Sequence, residues 1–199
     1  GVTRPYGQSI RQVRRVIDPL PGCTPFGIHV LVGQNHTIFI ADTTVTERPS
    51  AEQLVDIAVQ TAAVARRMGH EPRVAFLSYS TFGNPAGSYL DNIRDAVKLR
   101  EARGPDFEYE GEMPPDVALN PDMAKYYPFS RLSGPANVLV MPGLQSANLS
   151  AKLLAELGGD AVIGPMLDGM PQPVQVATMT STASDLVTLA VLAAGGIAR

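Results

Sequence analysis

Cysteine is nearly absent from this 199-residue chain. Cys23, alone between Pro21 and Pro25, leaves no disulfide framework and no thiolate metal cluster. His29, His36 and His70 are too scattered to show the spacing of metal ligands. Excess positive charge is missing too: Lys and Arg number 16 against 19 Asp and Glu, a net charge of -3. The short Arg11–Arg15 cluster is the strongest basic run, which argues against nucleic acid as a partner. The longest apolar stretch, Leu186 to Ala194, is too short to span a bilayer, and no secretory signal is present. Together these absences point to a reducing, cytoplasmic setting without a membrane partner. There is no G-x-x-x-x-G-K-[ST], no G-x-G-x-x-G, and no G-x-S-x-G around Ser78 or Ser80. The chain opens at Gly1 without Met, close to structured-looking sequence, so a fragment of something longer is expected; a cleaved tag is the other explanation.

What is present is an alternation of strands and helices. Ser9 and Gln12 fit a capping box, with Ile10, Val13 and Ile17 on one helical stripe. "GIHVLVG" and "HTIFIAD", parted by Gln34 and Asn35, predict a hairpin. Ser50 and Gln53 form a second capping box; Leu54, Ala58, Thr61, Ala65 and Met68 share one helix face, and Gly69 suits its stop. "RVAFLSYS" predicts a buried strand, and Leu90, Ile93, Val97 and Arg100 mark another helical stripe. The Pro-rich, acidic segment 104–130 predicts mostly loop. "NVLVMP" predicts a strand, "SANLSAKLLAELGG" a helix, and "AVIGPML" a short strand ending in a Gly-Pro turn. A last helix is expected from about Ser184 to Ala194. This order implies a layered α/β fold, and the hairpin implies a mixed sheet.

Ligands in such folds sit at the carboxyl ends of strands. Three segments match that position: Ser78–Gly87, Pro142–Asn148 and Ile163–Met170. The third leads into "PVQVATMTSTASDLV", a Thr/Ser run ahead of an apolar helix. Their Gly, Ser, Asn and Pro residues present backbone N–H groups and hydroxyls to an anion, which suits a phosphorylated ligand. The same residues also make ordinary strand–helix turns. Asp185 at a helix start favours the dipole and reads as a cap, and Asp42 reads as a turn former. Asp160, Asp168 and Asp185 could suggest a metal site, with nothing in the sequence to fix their geometry.

The run "ERPSAEQLVDIAVQTAAVARRMGHEPRVAFLSYSTFG", then "NVLVMPGLQSAN", then "IGPMLDGMPQPV", resembles the phosphate acetyltransferase (phosphotransacetylase) family along nearly the whole chain. "YPFSRLSGPANVLVMPGLQSANLSAKLL" is most similar to the C-terminal phosphotransacetylase-like domain of bacterial NADP-dependent malic enzymes. The resemblance implies a three-layer αβα fold with a mixed sheet, of the isocitrate/isopropylmalate dehydrogenase-like kind. It implies a two-lobed domain of which this chain is a fragment, with residues 1–172 as one α/β lobe and 173–199 returning to the other. It also implies dimerisation or higher homo-oligomers.

In the family, the stretch matching Pro173–Leu186 reads roughly P-V-N-D-L-S-R-G, then C or A, then S-V-E-D-I. Here Gln175 and Val176 replace Asn-Asp, Thr178 replaces Ser, Met179 replaces Arg and Thr180 replaces Gly. Asp185 retains the acid that the family uses as a suggested base toward the CoA thiol, and Arg4 matches a position near a basic or His residue. Transfer from acetyl phosphate needs a cation such as Arg to balance charge. The resemblance therefore implies a non-catalytic, acetyl-CoA-sensing regulatory and dimerisation domain. Its expected acetyl-CoA contacts are Ser78, Ser80, Thr81, Asn148, Gly164, Pro165, Met166, Thr178, Ser181 and Asp185. The remainder of the parent would be an N-terminal malic enzyme domain holding NADP and a divalent metal and converting malate to pyruvate; no cofactor or metal is expected in these residues. The alternatives are an active phosphate acetyltransferase with substitute cations, and a purely structural oligomerisation module.

Overall fold

The computed structural model describes residues 4–104, 106–158 and 161–195. Along them run α1 (Tyr6–Val13), β1 (Phe26–Val32), β2 (Thr37–Ala41), α2 (Ala51–Arg67) and β3 (Arg73–Leu77). A turn of 3-10 helix at Ser88–Leu90 leads into α3 (Asp91–Ala102), followed by β4 (Glu108–Met113), α4 (Pro115–Leu119) and α5 (Pro121–Ala124). The chain continues through β5 (Val138–Val140), α6 (Leu144–Leu157), β6 (Ala161–Asp168) and α7 (Ala183–Gly195).

The predicted hairpin forms: β1 and β2 pair antiparallel, with Val30 opposite Phe39. The six strands make one mixed sheet in the order β4-β3-β5-β2-β1-β6. β2, β5, β3 and β4 run parallel to one another, and β6 is antiparallel to β1. Because β1 is antiparallel to β2 as well, β6 points the same way as the parallel strands. The carboxyl ends of β2, β3, β4, β5 and β6 therefore all open on one edge.

Pleating sends alternate residues to opposite faces. Ile28, Val30, Phe39, Val74, Phe76, Val138 and Val140 pack on α2 and α3. Leu31, Ile40, Ala75, Leu77 and Leu139 face α4 and α6. Ile10 of α1 joins Leu167, Met170 and Val176 in a smaller cluster on the α6 side. This is the three-layer αβα arrangement. The α2 helix follows its sequence: Ser50 accepts from the Gln53 amide while the Gln53 side chain accepts from the Ser50 amide, and Gly69 closes the end at φ +84°. Burying Leu54, Val55, Ile57 and Val64 of α2 stabilises by roughly 1.5–3 kcal/mol each. No helix among the described residues is long and apolar enough to cross a membrane.

Three expectations are corrected. The helix α1 starts at Tyr6 with Pro5 as its cap residue, so Ser9 lies inside the first turns and is no capping box. Segment 104–130 is not mostly loop: β4 forms there as an edge strand on β3, followed by α4 and α5. Its acids resist a sequence reading because their charges are neutralised by distant arginines, Glu110 by Arg131 and Glu112 by Arg94. Finally, the chain does not turn at Gly164-Pro165. The strand β6 runs straight through to Asp168, with an irregularity in its pairing between Ile28 and Val30 of β1.

Candidate functional site at the carboxyl edge of the sheet

At the end of β2, Asp42 is buried and its carboxylate collects four backbone N–H groups. Oδ1 accepts from Gly27 (2.9 Å), Thr44 (2.8 Å) and Val45 (3.2 Å), and Oδ2 from Thr46 (2.7 Å). Asp42 is thus a turn former, and it fixes the 42–49 loop. Beside it the Thr43 hydroxyl donates to the Gly27 carbonyl and sits 2.8 Å from His29 Nδ1. With the hydroxyl proton used, His29 donates from Nδ1–H to Thr43 Oγ1. Burial, helped by Lys152, pushes His29 down to about 4.

Asn148, on α6, spends its amide on the Thr43 carbonyl at 3.1 Å. It braces α6 against the β2 loop. The predicted ligand serines of the β3 loop are similarly committed. Ser80 is fully buried; its hydroxyl donates to Glu112 Oε1 (2.9 Å), and its amide donates to Ser78 Oγ (3.1 Å). Thr81 and Asn84 exchange backbone hydrogen bonds that close the loop. Glu112 organises this region: Oε1 also accepts from the Gly83 amide, and the Arg94 guanidinium grips both oxygens at 3.0–3.1 Å. Burial raises the Glu112 carboxyl, but Arg94, Ser80 and Gly83 outweigh it and hold it below its usual range. Sequence reasoning passed over Glu112. Tyr109 and Met113 alternating with Glu108, Glu110 and Glu112 were the available strand signal.

The β6 candidates lie in a strand, not a loop. Gly164 sits at φ +132°, where a Cβ would come within 2.7 Å of the Ile28 carbonyl oxygen, so glycine serves the close approach of β1. Pro165 is buried and its carbonyl accepts from the Tyr6 hydroxyl at 3.5 Å. Met166 is buried in the core beside α2 and reaches a cavity of about 270 Å³ with Arg67, Asp168, Val174 and Leu192 on its walls. Inside that region Arg67 pairs with Asp168 at 3.2 Å. After β6, the Gln175 side chain accepts from the Leu167 amide and donates to its carbonyl, extending the sheet edge by one amide.

The structure does bring the Thr/Ser run together. The Thr178 amide donates to Ser181 Oγ at 3.0 Å, and the Thr178 hydroxyl lies 3.0 Å from Ser181 Oγ and 3.3 Å from Thr180 Oγ1. Thr182 and Asp185 form a reciprocal cap on α7. The Asp185 carboxylate accepts from the Thr182 amide (2.7 Å) and hydroxyl (2.9 Å), and the Asp185 amide donates back to Thr182 Oγ1. These contacts, the amide first, hold the exposed Asp185 carboxyl below its usual range. Met179 is 68% exposed. Asp160 lies outside the described residues, and among those described no three His, Cys, Asp or Glu could share a metal ion.

The profile of the phosphate acetyl/butaryl transferase family matches residues 1–194. An NADP-dependent malic enzyme of Rhizobium meliloti is 50% identical over 194 residues, 98% of this chain and 26% of that protein. A phosphate acetyltransferase of Clostridium acetobutylicum is 32% identical over 94% of this chain and 59% of its own length. The crystal structure of a phosphotransacetylase from Streptococcus pyogenes superposes with a TM-score of 0.92 at 31% identity, over 98% of this chain and 61% of that one. The chain thus spans about a quarter of that malic enzyme and about three fifths of these two transferases. With the family profile matching residues 1–194, the chain belongs to the phosphate acetyl/butaryl transferase family.

Proposed function

We propose that this domain binds acetyl-CoA without transferring its acetyl group, and that it regulates and dimerises a malic enzyme of which it forms the phosphotransacetylase-like part. The observation that carries the reading is Met179, an exposed, uncharged thioether where the family motif places Arg. Transfer to phosphate needs a fixed cation on the developing charge, and losing one such contact costs about two to three orders of magnitude in rate. Asp185 adds to this. A carboxylate held low and tied to Thr182 is a poor base toward a thiol. The Thr178, Thr180 and Ser181 hydroxyls offer neutral hydrogen bonds, which suit a thioester better than a phosphoryl dianion.

In this reading Ser78, Ser80, Thr81, Asn148, Gly164, Pro165 and Met166 hold the shape of the ligand cleft, and Thr178, Ser181 and Asp185 line it. The segment from residue 173 returns to a second lobe, which covers the exposed Leu186, Val187 and Val191 of α7. Acetyl-CoA regulates by preferring one arrangement of the domains over another. NADP, a divalent metal and malate belong to the N-terminal malic enzyme domain of the parent, in the cytoplasm.

The test uses two assays. Acetyl transfer between acetyl phosphate and CoA is measured on this chain, and NADP-dependent malate oxidation on the malic enzyme containing it, with and without acetyl-CoA. The reading predicts no transfer and a fall in malate oxidation with acetyl-CoA. Measurable transfer would make the domain an active acetyltransferase with a substitute cation.

A further inference from the structure

The amino edge of the sheet, opposite the candidate site, carries a concave surface of its own. The β1–β2 turn, the corner between α2 and β3 and the segment leading into β5 wall a groove of about 750 Å³ there. That is the size of a small-molecule site, about 300–1,000 Å³. Arg73 starts β3 at this groove and Leu77 ends the strand at the carboxyl edge. The length of β3, roughly 13 Å at about 3.3 Å per residue, separates the two edges.

What marks the groove is an arginine without an acid. Arg66 and Arg67 of α2, Arg94 and Arg100 of α3, and Arg131 each pair with an Asp or Glu. Arg73 does not. Its Nε donates to the Pro135 carbonyl at 2.7 Å, which orients the guanidinium, and its terminal nitrogens have no partner among the described residues. The acid two residues away and the acid opposite it on β4 are both drawn elsewhere. Glu71 pairs with Arg66 at 3.3 Å, and Glu108 accepts from the Ser133 amide and hydroxyl at 2.8 and 2.9 Å. His70 lines the same groove. Its ring packs edge-on against Phe39, with centroids 5.7 Å apart, and its ring nitrogens have no hydrogen bond among the described residues. Asn137 fixes the corner between them, accepting from the Arg73 amide at 2.7 Å and donating to the Glu71 carbonyl at 2.8 Å. Among the described residues on the walls there is no Asp or Glu, and no Lys or Arg besides Arg73. One guanidinium fork matches the two oxygens of a carboxylate, whereas a phosphoryl dianion calls for further cations. Beside the fork, Ile38, Pro135 and the 37% exposed Leu119 offer an apolar wall.

We infer that this groove is a further small-molecule site, in which the terminal nitrogens of Arg73 and the imidazole of His70 take the carboxylate of a monocarboxylate ligand while Leu119, Ile38 and Pro135 take its apolar body. The inference does not rest on acetyl-CoA binding at the other edge.

Benzoate, a carboxylate on an apolar ring, is the probe, and phenyl phosphate carries the same ring on a phosphoryl group. The chain has three histidines, so the imidazole NMR signals of the isotope-labelled chain report residue by residue. Benzoate at millimolar concentration is expected to shift His70 saturably and to leave His29, beside Thr43 at the other edge, unmoved. Arg73→Gln, which keeps an N–H donor for the Pro135 carbonyl, is expected to weaken that binding about tenfold or more in Kd. Leu119→Glu, at a partly exposed position outside the core, is expected to weaken it too by setting an acid beside the carboxylate. Phenyl phosphate is expected to bind more weakly than benzoate. No saturable shift of His70, or one that Arg73→Gln or Leu119→Glu leaves unchanged, would overturn the site. Phenyl phosphate binding as tightly as benzoate would overturn the carboxylate assignment. Acetyl-CoA titrated into the Arg73→Gln chain is expected to give the same result as with the wild-type chain, and a difference would overturn the independence of the two edges.

Discussion

The Asp42→Asn substitution isolates one electrostatic joint at the carboxyl edge of the sheet. The native carboxylate accepts four amides, three on Oδ1 and one on Oδ2. Asparagine of the same shape keeps one carbonyl oxygen, which can go on accepting from Gly27, Thr44 and Val45. Its amide nitrogen must then replace Oδ2 and face the Thr46 N–H, donor against donor, where the native distance is 2.7 Å. The negative charge that strengthens the other three bonds is lost as well. Hydrogen bonds to a charged group contribute about 1.5–3 kcal/mol, and a stranded buried donor costs about 1–3 kcal/mol. Residues 44–46 are half-buried, so water recovers part of this, and a destabilisation of about 3 kcal/mol is expected. For a domain of this size that lowers Tm by about 6–12 °C. Urea unfolding and differential scanning calorimetry at neutral pH measure it, with the m-value checked for constancy. A loss under about 1 kcal/mol would refute the claim that Asp42 anchors the loop.

Three further outcomes follow from named contacts. Glu112→Ala leaves the Ser80 hydroxyl and Gly83 amide without their acceptor, so about 2 kcal/mol is lost and the Ser78–Gly87 loop becomes faster in hydrogen exchange; unchanged loop exchange would contradict this. Gly164→Ala forces a Cβ against the Ile28 carbonyl at positive φ, destabilising by about 2–3 kcal/mol in urea unfolding, where a neutral result would remove the close-approach argument. His29 titrates near 4 in the fold and near 6.5 unfolded, so the unfolded chain binds more protons between those values. Stability therefore falls by up to about 3 kcal/mol as pH drops from 6.5 to 4, and His29→Asn flattens that part of the profile. An unchanged slope in the variant would assign the loss to other groups.

Much of the architecture was legible because the deciding interactions are local. The capping box at Ser50 and Gln53, the stop at Gly69 and the two-residue gap of the hairpin each lie within a few positions of the structure they specify. The misread parts depend on partners far along the chain. The β4 segment reads as acidic loop until Arg94 and Arg131 are brought to Glu112 and Glu110. "GP" at 164–165 reads as a turn until β1 is laid beside it. Ser9 and Gln12 match a capping pattern, yet Pro5 starts the helix four residues earlier.

The candidate site was legible as a set of segments, while the bonds its side chains make to one another depend on the fold. Ser78, Ser80 and Asn148 lie near the predicted strand ends, but their side chains brace loops and a helix. The hydroxyls of Thr178 and Ser181 hydrogen-bond to each other, and Asp185 caps α7 as its position implied.

The central claim, a ligand site kept after catalysis was lost, is tested most directly by calorimetric titration of acetyl-CoA into this chain, with acetyl phosphate titrated in parallel. The account predicts saturable heat with acetyl-CoA, weakened by Ser181→Ala, and none with acetyl phosphate. Binding of acetyl phosphate at the same site, or no binding of acetyl-CoA to this chain or to the malic enzyme containing it, would contradict the account.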